Sequence, residues 1–232
     1  TGTNVVTWTA TDASGNTTTC QQLVIGRDNQ SPTLTCPADV TVNVDPGSCV
    51  ATGVALGTPI SSDICGSVTV SSDAPSQFPV GTSVVTWTAT DASGNTTTCQ
   101  QRVVVRDNQP PTLTCPSAVT VNVNAGACVA TGVNLGSPIS SDLCGSVTVS
   151  SDAPVQFPVG TTVVTWTATD ASGNTTTCQQ RVIVRDNQTP TITCPATVTV
   201  NANAGACVAT GVNLGSPTTS DNCGTVTVSN DA

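Results

Sequence analysis

Residues 84–106, VVTWTATDASGNTTTCQQRVVVR, contain two runs in which apolar and polar side chains alternate. Val85, Trp87 and Ala89 share one face, with Thr86, Thr88 and Thr90 on the other. In the second run Val103 and Val105 point one way, and Arg102 and Arg106 the other. A period of two is the signature of a β-strand with one face buried. Between the runs, DASGN (91–95) is rich in turn formers. The same pattern continues outward. Val119, Val121 and Val123 alternate with Thr120 and Asn122; Val129, Val133 and Leu135 fall on one face; Val147 and Val149 follow. DPGS (45–48), NAGA (124–127) and FPVG (157–160) mark turns between them.

The stretch is repeated. Trp8, Trp87 and Trp166 stand 79 residues apart, each within TWTATDASGNTTTCQQ. The twelve cysteines fall at 20, 36, 49, 65, 99, 115, 128, 144, 178, 194, 207 and 223, with gaps of 16, 13, 16 and 34 that recur. Each 79-residue unit thus carries four cysteines, and the copies are nearly identical. The units run 31–109 and 110–188, flanked by the final strands of an earlier unit at 1–30 and the opening part of a further one at 189–232. The chain is expected to be a segment of a longer array. About seven short strands per unit predicts an all-β architecture, a tandem series of two-layer immunoglobulin-like sandwiches. The boundaries RDNQSP, RDNQPP and RDNQTP carry proline, which holds the chain extended, so the linkers are expected to be short and stiff.

Composition agrees and excludes much chemistry. Thr (44) and Val (35), both β-branched, make up about a third of the 232 residues. Lys, Glu, His, Met and Tyr are absent; the charges are five Arg and fourteen Asp, a net of −9. Without His there is no Ser-His-Asp triad and no imidazole ligand, and without Lys no Schiff base and no P-loop. Five scattered Arg cannot neutralise many phosphates, which argues against nucleic acid. No apolar stretch has the length of a membrane span. An enzyme is not expected, and no cofactor is called for, calcium excepted.

The segment FPVGTSVVTWTATDASGNTTTCQQRVVVRDNQPPTLTCP (78–116) resembles the HYR (hyalin repeat) family. The features that carry the resemblance are Phe78 to Thr82, Val85 to Ala89, Asp91 to Asn95, Cys99, Asp107, and Cys115 with Pro116. Trp87 stands where the family often has Tyr. The resemblance implies an immunoglobulin-like fold, a secreted or cell-surface location, and roles in adhesion or matrix, often in tandem arrays. It implies no catalytic residue.

The cysteines lack CxxC spacing and histidine partners, so a zinc site is not indicated and a disulfide framework is. Four cysteines allow three connectivities. Cys99 is in phase with Val103 and Cys115 with Leu113, whereas Cys128 and Cys144 are out of phase with Val129 and Val147. Strand phase therefore predicts Cys36–Cys99 and Cys115–Cys178, together with Cys49–Cys65, Cys128–Cys144 and Cys207–Cys223. Cys20 and Cys194 are expected to have partners beyond the segment.

Asp is the sole carboxylate. A linker meeting the loops of the next sandwich would bring Asp28 and Asn29 near Asp63 and Asp91, a candidate calcium site. The competing reading is that Asp91 and Asn95 close an Asx-type turn. Glycosylation sequons occur at Asn16, Asn95 and Asn174 (NTT), Asn29 (NQS) and Asn187 (NQT). Trp8, Trp87 and Trp166 lie in the inward phase and are expected to anchor the core.

Two functions compete. One is a structural array forming the shaft or stalk of an extracellular fibre or adhesin; its partners would be further copies of the repeat and neighbouring fibre subunits. Near-identical copies favour it, because repeating one interface builds length. The other is a calcium-dependent adhesion module or a carbohydrate- or protein-binding array, with surface glycans among its partners. That reading calls for a loop that differs between copies.

Overall fold

A computed structural model describes residues 2–231 of the chain. Among them there is no helix; the ordered elements are strands, divided between two compact units, Thr1–Gln109 and Pro110–Ala232.

In the first unit, β1 (Gly2–Thr11) and β2 (Thr17–Gly26) form an antiparallel hairpin. Eight strands follow: β3 (Thr33–Thr35), β4 (Val40–Asn43), β5 (Val50–Thr52), β6 (Ile60–Ser62), β7 (Val68–Ser72), β8 (Gln77–Pro79), β9 (Gly81–Asp91) and β10 (Thr96–Arg106). The main sheet has the order β4-β10-β9-β7. β4 runs parallel to β10, with Val40 opposite Val103, and the other pairings are antiparallel. Two short pairs, β3–β6 and β5–β8, complete the unit. The core lies between layers: Val85, Val103 and Val105 of the main sheet pack with Ala51 of β5, Phe78 of β8 and Val44. Val85 and Val103 are fully buried, each worth about 1.5–3 kcal/mol of transfer free energy.

The second unit repeats this arrangement in β11 (Thr112–Thr114), β12 (Val119–Asn122), β13 (Val129–Thr131), β14 (Ile139–Ser141), β15 (Val147–Ser151), β16 (Gln156–Pro158), β17 (Gly160–Asp170) and β18 (Thr175–Arg185). Its core is Val123, Ala130, Phe157, Val164, Val182 and Val184. A last antiparallel pair joins β19 (Thr191–Thr193) to β20 (Thr218–Ser220).

The alternating runs are strands, but three details differ from expectation. FPVG is a crossing between sheets: Phe78 and Pro79 pair with β5, and the main sheet resumes at Gly81. Gly81 and its counterpart Gly160 have φ of +112° and +114°, which an L-residue rarely adopts, so glycine makes the crossing possible. In β13 the inward residue is Ala130, and Val129 is half-buried. Val149 is 36% exposed because β15 is an edge strand, with no neighbour on its far side to cover it.

Trp87 and Trp166 pack against their cores, each half-buried. The indole Nε1–H of Trp87 donates to Gln101 Oε1 at 3.0 Å. Trp8 makes the same bond to Gln22 but is 59% exposed, since β1 and β2 are exposed along their whole length.

Candidate functional site

Cysteines, turns and linkers hold the features that bear on function. Cys36, just after β3, is bonded to Cys99 in β10, with Cα atoms 5.8 Å apart and a sequence separation of 63. Cys115–Cys178 repeats this bond in the second unit. Each ties a short strand pair to the main sheet across the core.

The remaining cysteines depart from the phase argument. Cys128 is bonded to Cys223, 95 residues away, with Cα atoms 4.8 Å apart. Cys128–Cys144 and Cys207–Cys223 are therefore not formed, and Cys207 is an exposed free thiol. Cys65 is also free, so Cys49–Cys65 is not formed, although Cys49 and Cys144 are both disulfide-bonded. The physical reason is strand pairing. Cys49 precedes β5, which pairs with β8, and Cys65 follows β6, which pairs with β3. A shared phase does not bring the ends of different strand pairs together. Eight of the twelve cysteines are disulfide-bonded, which belongs to an oxidising, extracellular setting.

Two glutamines went unnoticed in the sequence. Gln101 is fully buried; its Nε2 donates to the carbonyls of Ala38 (2.6 Å) and Leu56 (2.8 Å), while Oε1 accepts from Trp87. Gln180 does the same with Ser117, Leu135 and Trp166. The linker glutamine of RDNQ has a separate task. Gln109 Oε1 accepts from Gly47 N at 2.8 Å, and its Nε2 donates to the carbonyls of Asp45 and Ser48, which fastens the linker onto the DPGS turn. Gln188 fastens onto NAGA through Gly126 N and the Asn124 carbonyl. The linker prolines Pro32 and Pro111 are buried, and the hydroxyls of Thr97 and Thr176 donate to their carbonyls. The only hint in the sequence was that glutamine recurred at these positions in every copy.

Of the calcium candidates, Asp28 and Asp63 come together: their carboxylate oxygens lie with Cys65 Sγ within 4.8 Å of one another. Asn29 and Asp91 are not in that group. A hard cation takes roughly six to eight oxygen ligands, whereas a thiol is a soft ligand, so this donor set does not fit calcium. Asp28 Oδ1 already accepts Gln30 N–H, and Asp63 Oδ1 accepts Cys65 N–H.

Asp91 is occupied elsewhere. Its Oδ1 accepts the backbone N–H groups of Ser93 (2.8 Å) and Asn95 (2.9 Å), and Oδ2 accepts Asn95 Nδ2–H at 2.8 Å. Asp12 and Asp170 organise their turns in the same way. Burial pushes the Asp91 carboxyl upward, but the bonds from the Asn95 side chain and from backbone amides outweigh it and hold the pKa below the ordinary aspartate value. A depressed folded-state pKa contributes stability that is complete above the unfolded value, about 3.9, and is lost as pH falls through the folded value. Asp91→Asn, which removes the charge, should lower the melting midpoint of the first unit at pH 7. It should also flatten that unit's acid limb below about pH 4 relative to the parent. Calorimetry across pH 2–7 would check this, and an unchanged acid limb would count against the turn.

The same geometry bears on the sequons. Nδ2 of Asn16, Asn95 and Asn174 is engaged by the turn aspartate, while Asn29 and Asn187 are exposed in linkers.

Taken together, the two-layer sandwiches, the parallel β4–β10 pairing and the cross-layer disulfides define a tandem array of immunoglobulin-like repeats suited to an oxidising, extracellular setting. The profile of the HYR domain matches residues 27–105 and 106–184, and the chain belongs to this family. Hyalin of Strongylocentrotus purpuratus is 34% identical over 97% of the chain, and hyalin of Lytechinus variegatus 33% identical over 85%. A rat protein named for sushi, von Willebrand factor type A, EGF and pentraxin domains is 31% identical over 74%. The chain spans 20%, 39% and 5% of those proteins. Among solved structures, mouse cadherin-23 EC22–24 aligns over 79% of this chain and 74% of its own, at 14% identity and a TM-score of 0.40. Drosophila N-cadherin EC1–4 aligns over 72% and 52%, at 10% identity and 0.40. No helix among the described residues is long and apolar enough to cross a membrane.

Proposed function

We propose that the chain is a non-catalytic segment of an extracellular shaft, in which near-identical sandwiches are repeated to build length and neighbouring copies serve as its partners. The observation that carries this is the recurrence, copy for copy, of the same stiffening contacts. The cross-layer disulfide, the buried glutamine and the docking of the linker glutamine onto its turn recur in both units. A recognition array would be expected to vary its exposed loops between copies, whereas here the DASGN turn is the same each time. The absence of Lys, Glu, His and Tyr from the sequence also supports a non-catalytic role. Electron microscopy of chains containing two, four and eight repeats provides the test. Contour length should rise by an equal increment per repeat, as in a rod. Collapsed particles, or a saturable ligand lost on mutating one loop, would favour a binding module instead.

A further inference from the structure

We infer that the edge of the main sheet, β7 in the first unit and β15 in the second, pairs with the same strand of a second copy of this chain. β7 is the last strand in the order β4-β10-β9-β7, so β9 lies on one side of it and no strand on the other. Four of its five residues are exposed. The ladder settles which backbone groups are left over. Asp73 N–H donates to the Thr86 carbonyl, so in this antiparallel register the residues bonded to β9 alternate as Asp73, Ser71 and Thr69. Val68, Val70 and Ser72 therefore turn their N–H and C=O groups away from β9. In the second unit Asp152 N–H donates to the Thr165 carbonyl, which leaves Val147, Val149 and Ser151 in the same position.

An unpaired edge is a template for another strand, and folded proteins guard such edges with charge, proline or shortness. The opposite edge, β4, is short and flanked by Pro37, Asp39, Asp45 and Pro46. The β7 edge has no such guard. From Ile64 to Ser72 there is neither a charge nor a proline, and the same holds from Leu143 to Ser151. Both edge strands read VTVSS, whose β-branched residues suit a ladder.

The occupant follows from the register, because the strand matches itself. An antiparallel pair centred on Val70 sets Val70 opposite Val70 and Val68 opposite Ser72. The leftover groups of both copies then meet as hydrogen-bonded pairs, each exchanging two N–H···O bonds. The two Val70 side chains, each 37% exposed in the single copy, come side by side and cover one another. Charge permits the approach in spite of the net −9. Asp73, which ends the strand, would lie opposite Ser67 of the other copy, so the two Asp73 stand 73 − 67 = 6 residues apart along the strands. That is about 20 Å, more than twice the screening length of about 8 Å at physiological ionic strength. A five-residue strand pair is small for a stable interface, so the pairing is expected to be weak and to depend on chain concentration. It gives the shaft a lateral surface without depending on the shaft reading: contour length tests the one and edge exchange the other, and each can fail alone.

Residue-resolved hydrogen exchange on the intact chain, at about 10 μM and about 1 mM, reads the edge directly. The amides of Val68, Val70 and Ser72, and of Val147, Val149 and Ser151, should exchange severalfold more slowly at the higher concentration. Those of Thr69 and Ser71, already bonded to β9, should not change. Sedimentation should show a matching rise in mean mass. Ser72→Pro with Ser151→Pro removes N–H groups that bond nothing within their own units, and Ser71→Lys with Ser150→Lys supplies the missing guard. Either pair should abolish the concentration dependence while each unit melts near the parent. Exchange that ignores concentration, slow exchange at these amides in the monomer, or association that survives both pairs of substitutions would overturn the inference.

Discussion

Stretched in solution, an oxidised array should lengthen by only 16 residues per repeat, and by several times more once its disulfides are reduced. β4 and β10 are parallel neighbours, with Val40 opposite Val103 and Asn43 opposite Arg106, so tension applied along the chain loads them in shear. Cys36–Cys99 short-circuits the chain between two positions with a sequence separation of 63. The free length is the 16 residues from Cys99 to Cys115, roughly 50–60 Å at full extension before the folded length is subtracted. A reduced 79-residue repeat would release roughly 260–280 Å. Single-molecule force spectroscopy before and after reductant would read the two step lengths. Equal long steps in both states would mean that the bonds carry no tension, and the shaft reading would fail with them.

Replacing Gln101 with leucine should destabilise the first unit far more than its polar character in the CQQ motif would suggest. Leucine nearly preserves the volume but takes the fully buried amide partner away from three part-buried groups: the Trp87 indole N–H and the carbonyls of Ala38 and Leu56. Orphaning buried polar groups costs about 1–3 kcal/mol each, and because such losses are not additive the total should be about 3–5 kcal/mol. For a domain of this size, that is a fall in melting temperature of at least about 12 °C. Gln180 supplies an internal control, since the second unit keeps its own copy and should melt unchanged. Gln100→Ala, at the exposed neighbouring position, should shift stability by less than about 0.5 kcal/mol. A Gln101→Leu chain melting like the parent would show that water replaces the amide, and that the glutamine does not hold the layers together.

What could be read from the residues alone was whatever is local. The period of two places Val85, Ala89, Val103 and Val105 inside, because alternation along a strand needs no knowledge of its neighbours. Asp91 and Asn95 lie four residues apart, so the Asx turn between them is a short-range event. The 79-residue period, visible in the tryptophans and cysteines, sets the tandem architecture before any strand is paired.

The tertiary structure decided everything that depends on which strand ends meet. Phase assigned Cys128 a partner within its own repeat, but β13 pairs with β16 and β14 with β11, and the bond instead joins Cys128 to Cys223. The linker's approach put Asp28 beside Asp63, while the DASGN turn kept Asp91 for itself. Gln101 reads as an ordinary polar residue until β10 turns it inward beneath two carbonyls that no strand partner satisfies. Alternation states which face of a strand is buried, and this sequence determined that much. Which groups lie opposite that face is set by the long-range pairing of strands far apart in the chain.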